Sequence, residues 1–210
     1  MTTLPTIDLH FGANRIYLLP LSEIPEAELA ARADLTADET EIYTSFLSSQ
    51  EQRRKEWLAG RLLAREKLGG RIGYEPSGRP LLVTPDGTLS ERHISISHTS
   101  GWAALLVSSS GPCGIDIELA RRRAERVAAR IASPEEIALA APLYPDNPAL
   151  LVWCAKEAAY KALGSAGMDF REQIRVRSAA ARTLIIAVKA EPIALGIFST
   201  EALLGVYGSL

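Results

Sequence analysis

The sequence predicts an α+β protein built from two halves of similar content. Three observations carry that reading. The chain has 210 residues, which is one large domain or two small ones at roughly 150 residues per domain. Its local signals come in the order helices, strands, helices, strands, dividing near residues 100–110. No tandem repeat and no low-complexity linker separates the two cycles.

Residues 1–35 read as irregular or strand-like, because Pro5, Pro20 and Pro25 interrupt any long element. Thr36-x-x-Glu39 is a capping box, with Ile42, Phe46 and Leu47 following at helical spacing. A second helix is predicted over Gln50–Leu68, stopped by Gly69-Gly70. Arg54, Arg61 and Arg65 form one basic stripe on it, a solvated face in most helices and an anion site in a minority. Residues 71–118 read as β, with a turn at Gly78-Arg79-Pro80 and alternation in Ile94-Ser95-Ile96-Ser97. Thr99-Ser100-Gly101 is a hairpin connection into Trp102–Ser108, and Pro112 and Gly114 lead into alternating Ile115-Asp116-Ile117-Glu118.

Helices then return. Ser133-Pro134-Glu135-Glu136 places Ser at the N-cap, Pro at N1 and Glu at N3. Asp146-Asn147-Pro148 opens another helix, which runs through Trp153 and Lys161 to Leu163 and stops at Gly164. Within residues 176–210 the apolar runs Leu184–Val188, Ile193–Phe198 and Leu203–Tyr207 read as strands, although their Leu and Ala also admit a helix.

Composition removes several classes. Hydrophobic residues at 47% and charged residues at 23% exclude a disordered chain and a fibrous repeat. A net charge of −2 excludes a broadly basic nucleic-acid binder while leaving room for a local basic patch. No apolar run approaches the roughly 18 residues of a membrane helix. Met1-Thr2-Thr3-Leu4-Pro5 shows neither the basic nor the apolar region of a secretory signal. Cys113 and Cys154 are too few for a disulfide scaffold or a cysteine zinc site, so two reduced thiols in a cytoplasmic protein are expected.

Two clusters and one histidine can carry chemistry. Asp116 and Glu118, two apart on a strand, point to the same side, opposite Ile115 and Ile117, which face the core. Adjacent like charges repel, and a cation between them turns the pair into an asset. Mg²⁺ takes such carboxylates together with substrate phosphates; a solvated strand edge is the plainer alternative. Trp153, Glu157 and Lys161 share one helix face, which in isolation is a surface salt bridge beside a packing tryptophan. His98 ends Ser95-Ile96-Ser97-His98, and with His10 and His93 as its only companions no multi-histidine metal site is expected.

In chain order, Gly78-Arg79-Pro80, Ile94-Ser95-Ile96-Ser97-His98, Gly114-Ile115-Asp116-Ile117-Glu118 and Trp153-x-x-Lys156-Glu157-Ala158-x-x-Lys161 resemble the 4′-phosphopantetheinyl transferase superfamily. The resemblance covers roughly residues 50–170, and Arg53–Leu63 is similar to the family's N-terminal helix. The Asp-x-Glu pair stands behind a complete half-domain, not near the start, so the chain resembles the longer, surfactin-type class more than the short trimeric synthases. That class implies a monomeric pseudo-dimer of two similar α/β halves, each a small, mainly antiparallel sheet packed against a long helix. Residues 1–105 would contact the 3′-phosphate and adenine of coenzyme A, and residues 106–210 would carry the metal and catalytic motifs.

The activity so implied is transfer of 4′-phosphopantetheine from coenzyme A to a serine of an apo acyl or peptidyl carrier protein, releasing adenosine 3′,5′-bisphosphate. The resemblance implies Mg²⁺ held by Asp116, Glu118 and Glu157, with Glu157 as the base, directly or through water, and Lys161 stabilising the leaving phosphate. It also implies coenzyme A contacts from Lys55, Arg61, Arg79, Ser97, His98, Lys156 and Lys161. Arg79 stands where the family commonly has Lys, keeping the charge with a different geometry. Which of Arg53, Arg54, Lys55 and Arg61 turns inward depends on helix phase, and Lys156 lies about 100° round the helix from Glu157. An acceptor would dock on an apolar patch beside the metal, aided by Arg121–Arg123. Two other classes fit the same residues: a metal-dependent nucleotide pyrophosphatase or other hydrolase, and a non-catalytic module that binds coenzyme A or a carrier. No nucleic acid or membrane is expected as a partner.

Overall fold

The computed structural model describes residues 4–164 and 167–210; of the irregular or strand-like segment expected over 1–35, Met1, Thr2 and Thr3 lie outside the described residues. Two antiparallel sheets form the frame. The first contains β1 (Ile7–Phe11), β2 (Asn14–Pro20), β3 (Arg71–Tyr74), β4 (Pro80–Val83), β5 (Leu89–Thr99) and β6 (Trp102–Ser108), in the order β1-β2-β6-β5-β4-β3. The second contains β7 (Cys113–Leu119), β8 (Ile174–Ala180), β9 (Thr183–Val188), β10 (Glu191–Ser199) and β11 (Leu203–Ser209), in the order β7-β11-β10-β9-β8. The last residues are thus strands, and the helix alternative for them falls. The chain passes between sheets over 109–112, while the expected 105/106 division lies inside β6.

Strand alternation sorts the apolar residues into three cores. On β2 and β6, Tyr17, Leu19, Ala103 and Leu105 pack with Leu58, Ala59, Leu62 and Leu63 of the long helix α3 (Glu51–Leu68). Their neighbours Ile16, Leu18, Ala104 and Leu106 face the other way and meet Ile115, Ile117, Phe198 and Leu203 of the second sheet. Beyond that sheet, Leu184, Ile186, Leu195, Leu204 and Val206 pack with Leu151, Ala155, Ala158 and Ala159 of α6 (Pro148–Leu163). The layers therefore run helix, sheet, sheet, helix, and the middle seam is apolar.

Helix ends follow their local chemistry. Thr36 and Glu39 close the capping box of α2 (Ala37–Ser45), and Ser133 and Glu136 close that of α5 (Pro134–Ala140). Asn147 caps α6, and α3 and α6 both stop at a left-handed glycine, Gly69 and Gly164. A short α4 (Glu125–Ile131) precedes α5.

Two expectations need correction. Residues 26–33, read as irregular, form helix α1 (Glu26–Ala33), for which Pro25 is the N-cap and not a breaker. The arginine stripe of α3 is not a solvated face. Arg54 pairs with Glu26 at 2.7 Å, Arg61 with Glu39 at 3.2 Å, and Arg65 with Asp34 at 3.1 Å. Acidic residues of α1, α2 and the turn between them use the stripe as a dock. Among the described residues no helix is long and apolar enough to cross a membrane.

Candidate active site

The site is built on β7. Ile115 and Ile117 fill the seam and are fully buried, as their alternation predicts. β7 is an edge strand, and side chains of β5 cover its free edge. Ser95 Oγ accepts from the Ile115 N–H and Ser97 Oγ from the Ile117 N–H, both at 3.2 Å. Thr99 Oγ1 donates to Glu118 Oε2 at 2.8 Å. Ser95, Ser97 and Thr99 are alternate residues on one face of β5, so a single strand periodicity ties the first half to the carboxylate strand of the second.

Gly114 brings α6 onto β7. A Cβ there would fall on the Ala158 carbonyl oxygen and lie 2.6 Å from the Ala162 nitrogen, so helix and strand backbones touch. That approach places Lys161 over Asp116. The Lys161 ammonium donates to Asp116 Oδ1 at 2.8 Å, to the Ile115 carbonyl at 3.0 Å and to Ser97 Oγ at 3.2 Å. Ser97 Oγ also donates to Asp116 Oδ1 at 3.1 Å.

The carboxylates are buried, not a solvated edge. Asp116 is 7% exposed and Glu118 6%. Glu118 is held by Thr99 and by an ion pair with Arg122, one helical turn's spacing along the chain. Glu157 is half-buried, and burial, then the negative charge of Asp116, push its carboxyl above the usual range against Lys161 and Arg122. Cys154, on α6, is fully buried, and its thiol is pushed well up by burial and then by Asp116.

The donor set suits a hard divalent cation in its oxygen chemistry, and one atom is left for it. Among the described residues Asp116 Oδ2 is buried with no hydrogen-bond partner, an expensive state unless something completes it. The expected meeting of three carboxylates around one point is not formed, however. Among the described residues no three His, Cys, Asp or Glu side chains stand close enough to share an ion. The physical reason is local charge balance: Lys161 neutralises Asp116, and Arg122 draws Glu118 to its own side.

A cavity of about 610 Å³ opens between α2, α3, the 74–80 turn, β5 and the end of α6. Arg61, Arg79, His98 and Lys161, four of the residues expected at coenzyme A, line it. Arg61 stacks on Trp57 with Cζ 3.2 Å from the ring centroid, and His98 Nδ1 lies 3.0 Å from Glu56 Oε2. Three expected contacts are elsewhere. Lys55 is buried on a different face of α3, about 120° round the helix from Arg61, and does not line the cavity. Ser97 is spent on Asp116, Ile117 and Lys161. Lys156 is fully buried, donating to the Ile131 carbonyl at 2.6 Å, the Phe170 carbonyl at 2.9 Å and Glu136 Oε2 at 3.1 Å. A second groove, about 360 Å³, exposes Glu157 beside Trp153, Ile131 and Phe170, with Arg130 and Arg171 at its rim.

Sequence reasoning missed Ser95 and Thr99, although Ser-x-Ser-x-Thr alternation was a usable signal. It also missed Arg122 as the partner of Glu118 and Glu136 as the partner of Lys156. The latter had no local signal, since Glu136 lies 20 residues away and doubles as a capping residue.

Comparison with known proteins gives the family. Residues 112–201 match the sequence profile of the 4′-phosphopantetheinyl transferase superfamily. The chain is 30% identical over 191 residues to the 4′-phosphopantetheinyl transferase HetI of Nostoc sp. strain PCC 7120, spanning 82% of this chain and 77% of that relative. It is 34% identical over 122 residues to the 4′-phosphopantetheinyl transferase AcpT of Escherichia coli O157:H7, over 55% of this chain and 60% of AcpT. AcpT of Escherichia coli strain K12 gives the same figures. The chain belongs to the 4′-phosphopantetheinyl transferase superfamily, enzymes that move 4′-phosphopantetheine onto carrier proteins.

Proposed function

We propose that this chain carries out that transfer at the seam between its halves, with coenzyme A in the larger cavity and the acceptor serine entering by the Glu157 groove. The observation that carries the reading is Lys161, which lines the cavity while its ammonium rests on Asp116. Asp116, Glu118 and Glu157 are the residues that would hold Mg²⁺, although among the described residues they do not meet around one point, and Asp116 Oδ2 is the one oxygen left open for it. The ion's contribution when bound is neutralisation of pyrophosphate charge.

The chain's own residues do the rest. In the first half, Arg61, Arg79 and His98 bind the phosphates and base of coenzyme A by charge and hydrogen bonding. In the second half, Glu157, whose carboxyl burial raises above its ordinary value and so makes a stronger base, takes the proton from the acceptor serine. Lys161 holds negative charge on the departing phosphate. Phosphoryl transfer depends on positioning and electrostatics, so neither buried cysteine is needed as a nucleophile. One chain supplies both halves of the site, consistent with a monomer, and two free buried thiols fit a reducing cytoplasmic compartment. The acceptor is an apo acyl or peptidyl carrier protein.

Incubating the protein with coenzyme A, Mg²⁺ and an apo-carrier, followed by mass spectrometry, tests the reading. A gain of the phosphopantetheine mass on one serine is expected, and Asp116→Ala or Glu157→Ala lowers the rate by about 10²–10⁴-fold with folding intact. Near-normal turnover in either variant would falsify the assignment, and release of nucleotide without an acceptor would favour a hydrolase.

A further inference from the structure

A cation from the first half closes the last turn of the catalytic helix in the second. Arg79 lies in the turn between β3 and β4, yet its Nη2 donates at 3.1 Å to the carbonyl of Ala162, 83 residues further on. Ala162 is in the final turn of α6, where carbonyls lack intrahelical partners and carry the negative end of the helix dipole. Gly164 ends the helix at φ 61°, and the absence of its Cβ makes the seat for the guanidinium. A Cβ there would lie 2.6 Å from Arg79 Cζ and 2.5 Å from Nε. Gly164 thus meets two demands, a left-handed backbone and an empty space, and asparagine could satisfy only the first.

The turn that Arg79 grips also carries Lys161. Its side chain is fixed by Asp116, Ile115 and Ser97. Its backbone is fixed one residue later, at Ala162, by Arg79. Both residues line the same cavity.

We propose that Arg79 is a positioning residue for the transfer: a strut from the coenzyme-side turn that sets the end of α6 and, through it, the Lys161 ammonium. The strut rests on the role given to Lys161 above. It explains arginine over lysine at this position. An ammonium could donate to Ala162, but a planar guanidinium also fills the space over Gly164. A residue that only contacts coenzyme A would change KM alone; a strut changes kcat, because displacements near 1 Å at a catalytic group are costly.

The test is a mutant cycle in the full chain: Arg79→Ala, Arg79→Lys, Gly164→Ala and the Arg79→Ala/Gly164→Ala double variant, with Lys161→Ala alongside. Transfer kinetics, the coenzyme A dissociation constant from calorimetry, and thermal midpoints are recorded. Gly164→Ala, which removes no cation, is expected to lower kcat on the order of 10-fold, and Arg79→Ala about 10- to 100-fold. Arg79→Lys keeps coenzyme A affinity without restoring kcat. The double variant loses less than the sum of the two single losses, since the space is then vacant and only the backbone strain of alanine at a left-handed position remains. If Gly164→Ala does not fold, the Arg79→Lys split between kcat and affinity decides alone. Rises confined to coenzyme A KM, or additive losses in the double variant, overturn the strut. A Lys161→Ala enzyme with normal kcat instead overturns the Lys161 assignment, and the strut with it.

Discussion

Arg61 on α3 and Lys156 on α6 are both buried cations on the long helix of their half, and they are held in opposite ways. Lys156 is fully buried and saturated by two carbonyls and the Glu136 carboxylate. Glu136 is saturated in turn by the Ser133 and Val176 N–H groups, each at 2.8 Å. Arg61 is 6% exposed, but among the described residues its Nε makes no hydrogen bond despite Glu39 nearby, and its backbone contact to Trp57 is 3.3 Å long. Burial holds its guanidinium below the ordinary range, opposed first by Tyr74 and then by Glu39. A saturated buried charge is a structural knot. An under-satisfied one lining a cavity leaves a donor free.

The largest effect should come from breaking the knot. Lys156→Ala or Glu136→Ala is expected to cost about 3–5 kcal/mol in chemical denaturation, because each leaves the other charge buried alone. A Lys156→Met/Glu136→Gln double variant should be more stable than either alanine variant. A stable Lys156→Ala protein with weakened coenzyme A binding would erase the contrast and return Lys156 to the ligand contacts.

Next in size is the Arg61 side of the comparison. Arg61→Ala should raise the coenzyme A KM about 10- to 100-fold, the weight of a charge-assisted hydrogen bond, while the denaturation midpoint falls by less than in Lys156→Ala, because Glu39 keeps Arg65 at 3.8 Å. A stability loss matching that of Lys156→Ala would show that the two cations do the same work.

The smallest effect concerns the ion pair that docks α1 on α3. The hydrogen bond from Arg54 holds the Glu26 carboxyl below its usual 4.5. A depressed carboxylate stabilises the fold above its unfolded value and loses that contribution as pH falls through its folded value. Thermal midpoints followed downward from pH 6 should fall more steeply in the wild type than in Glu26→Gln, by no more than about 4 °C. Equal slopes would remove Glu26 as a source of acid sensitivity.

The fold was legible where signals are local. Capping boxes at Thr36 and Ser133, glycine stops at Gly69 and Gly164, and alternation in β5 and β7 each depend on residues within a few positions. Helix α1 was missed because Pro25 serves equally as a breaker and as a helix entry. The candidate site was legible as a set of residue types, since Asp116, Glu118, Glu157 and Lys161 stand at spacings fixed by strand and helix geometry; the separation of its three carboxylates was not. Whether each faces the cavity was not, because Lys55, Lys156 and Arg61 look alike as cations in a helix.

By itself, then, the sequence determined most of the elements, their order and the family motifs, because dihedral preference and side-chain period act over a few residues. Tertiary structure alone decided which charges are satisfied. The Glu136 partner of Lys156, the Ala162 carbonyl under Arg79 and the unpaired Asp116 Oδ2 arise from segments 20 to 83 residues apart or from none. Burial and hydrogen-bond saturation belong to the packed assembly, and they separate a saturated cation from one with a donor to spare.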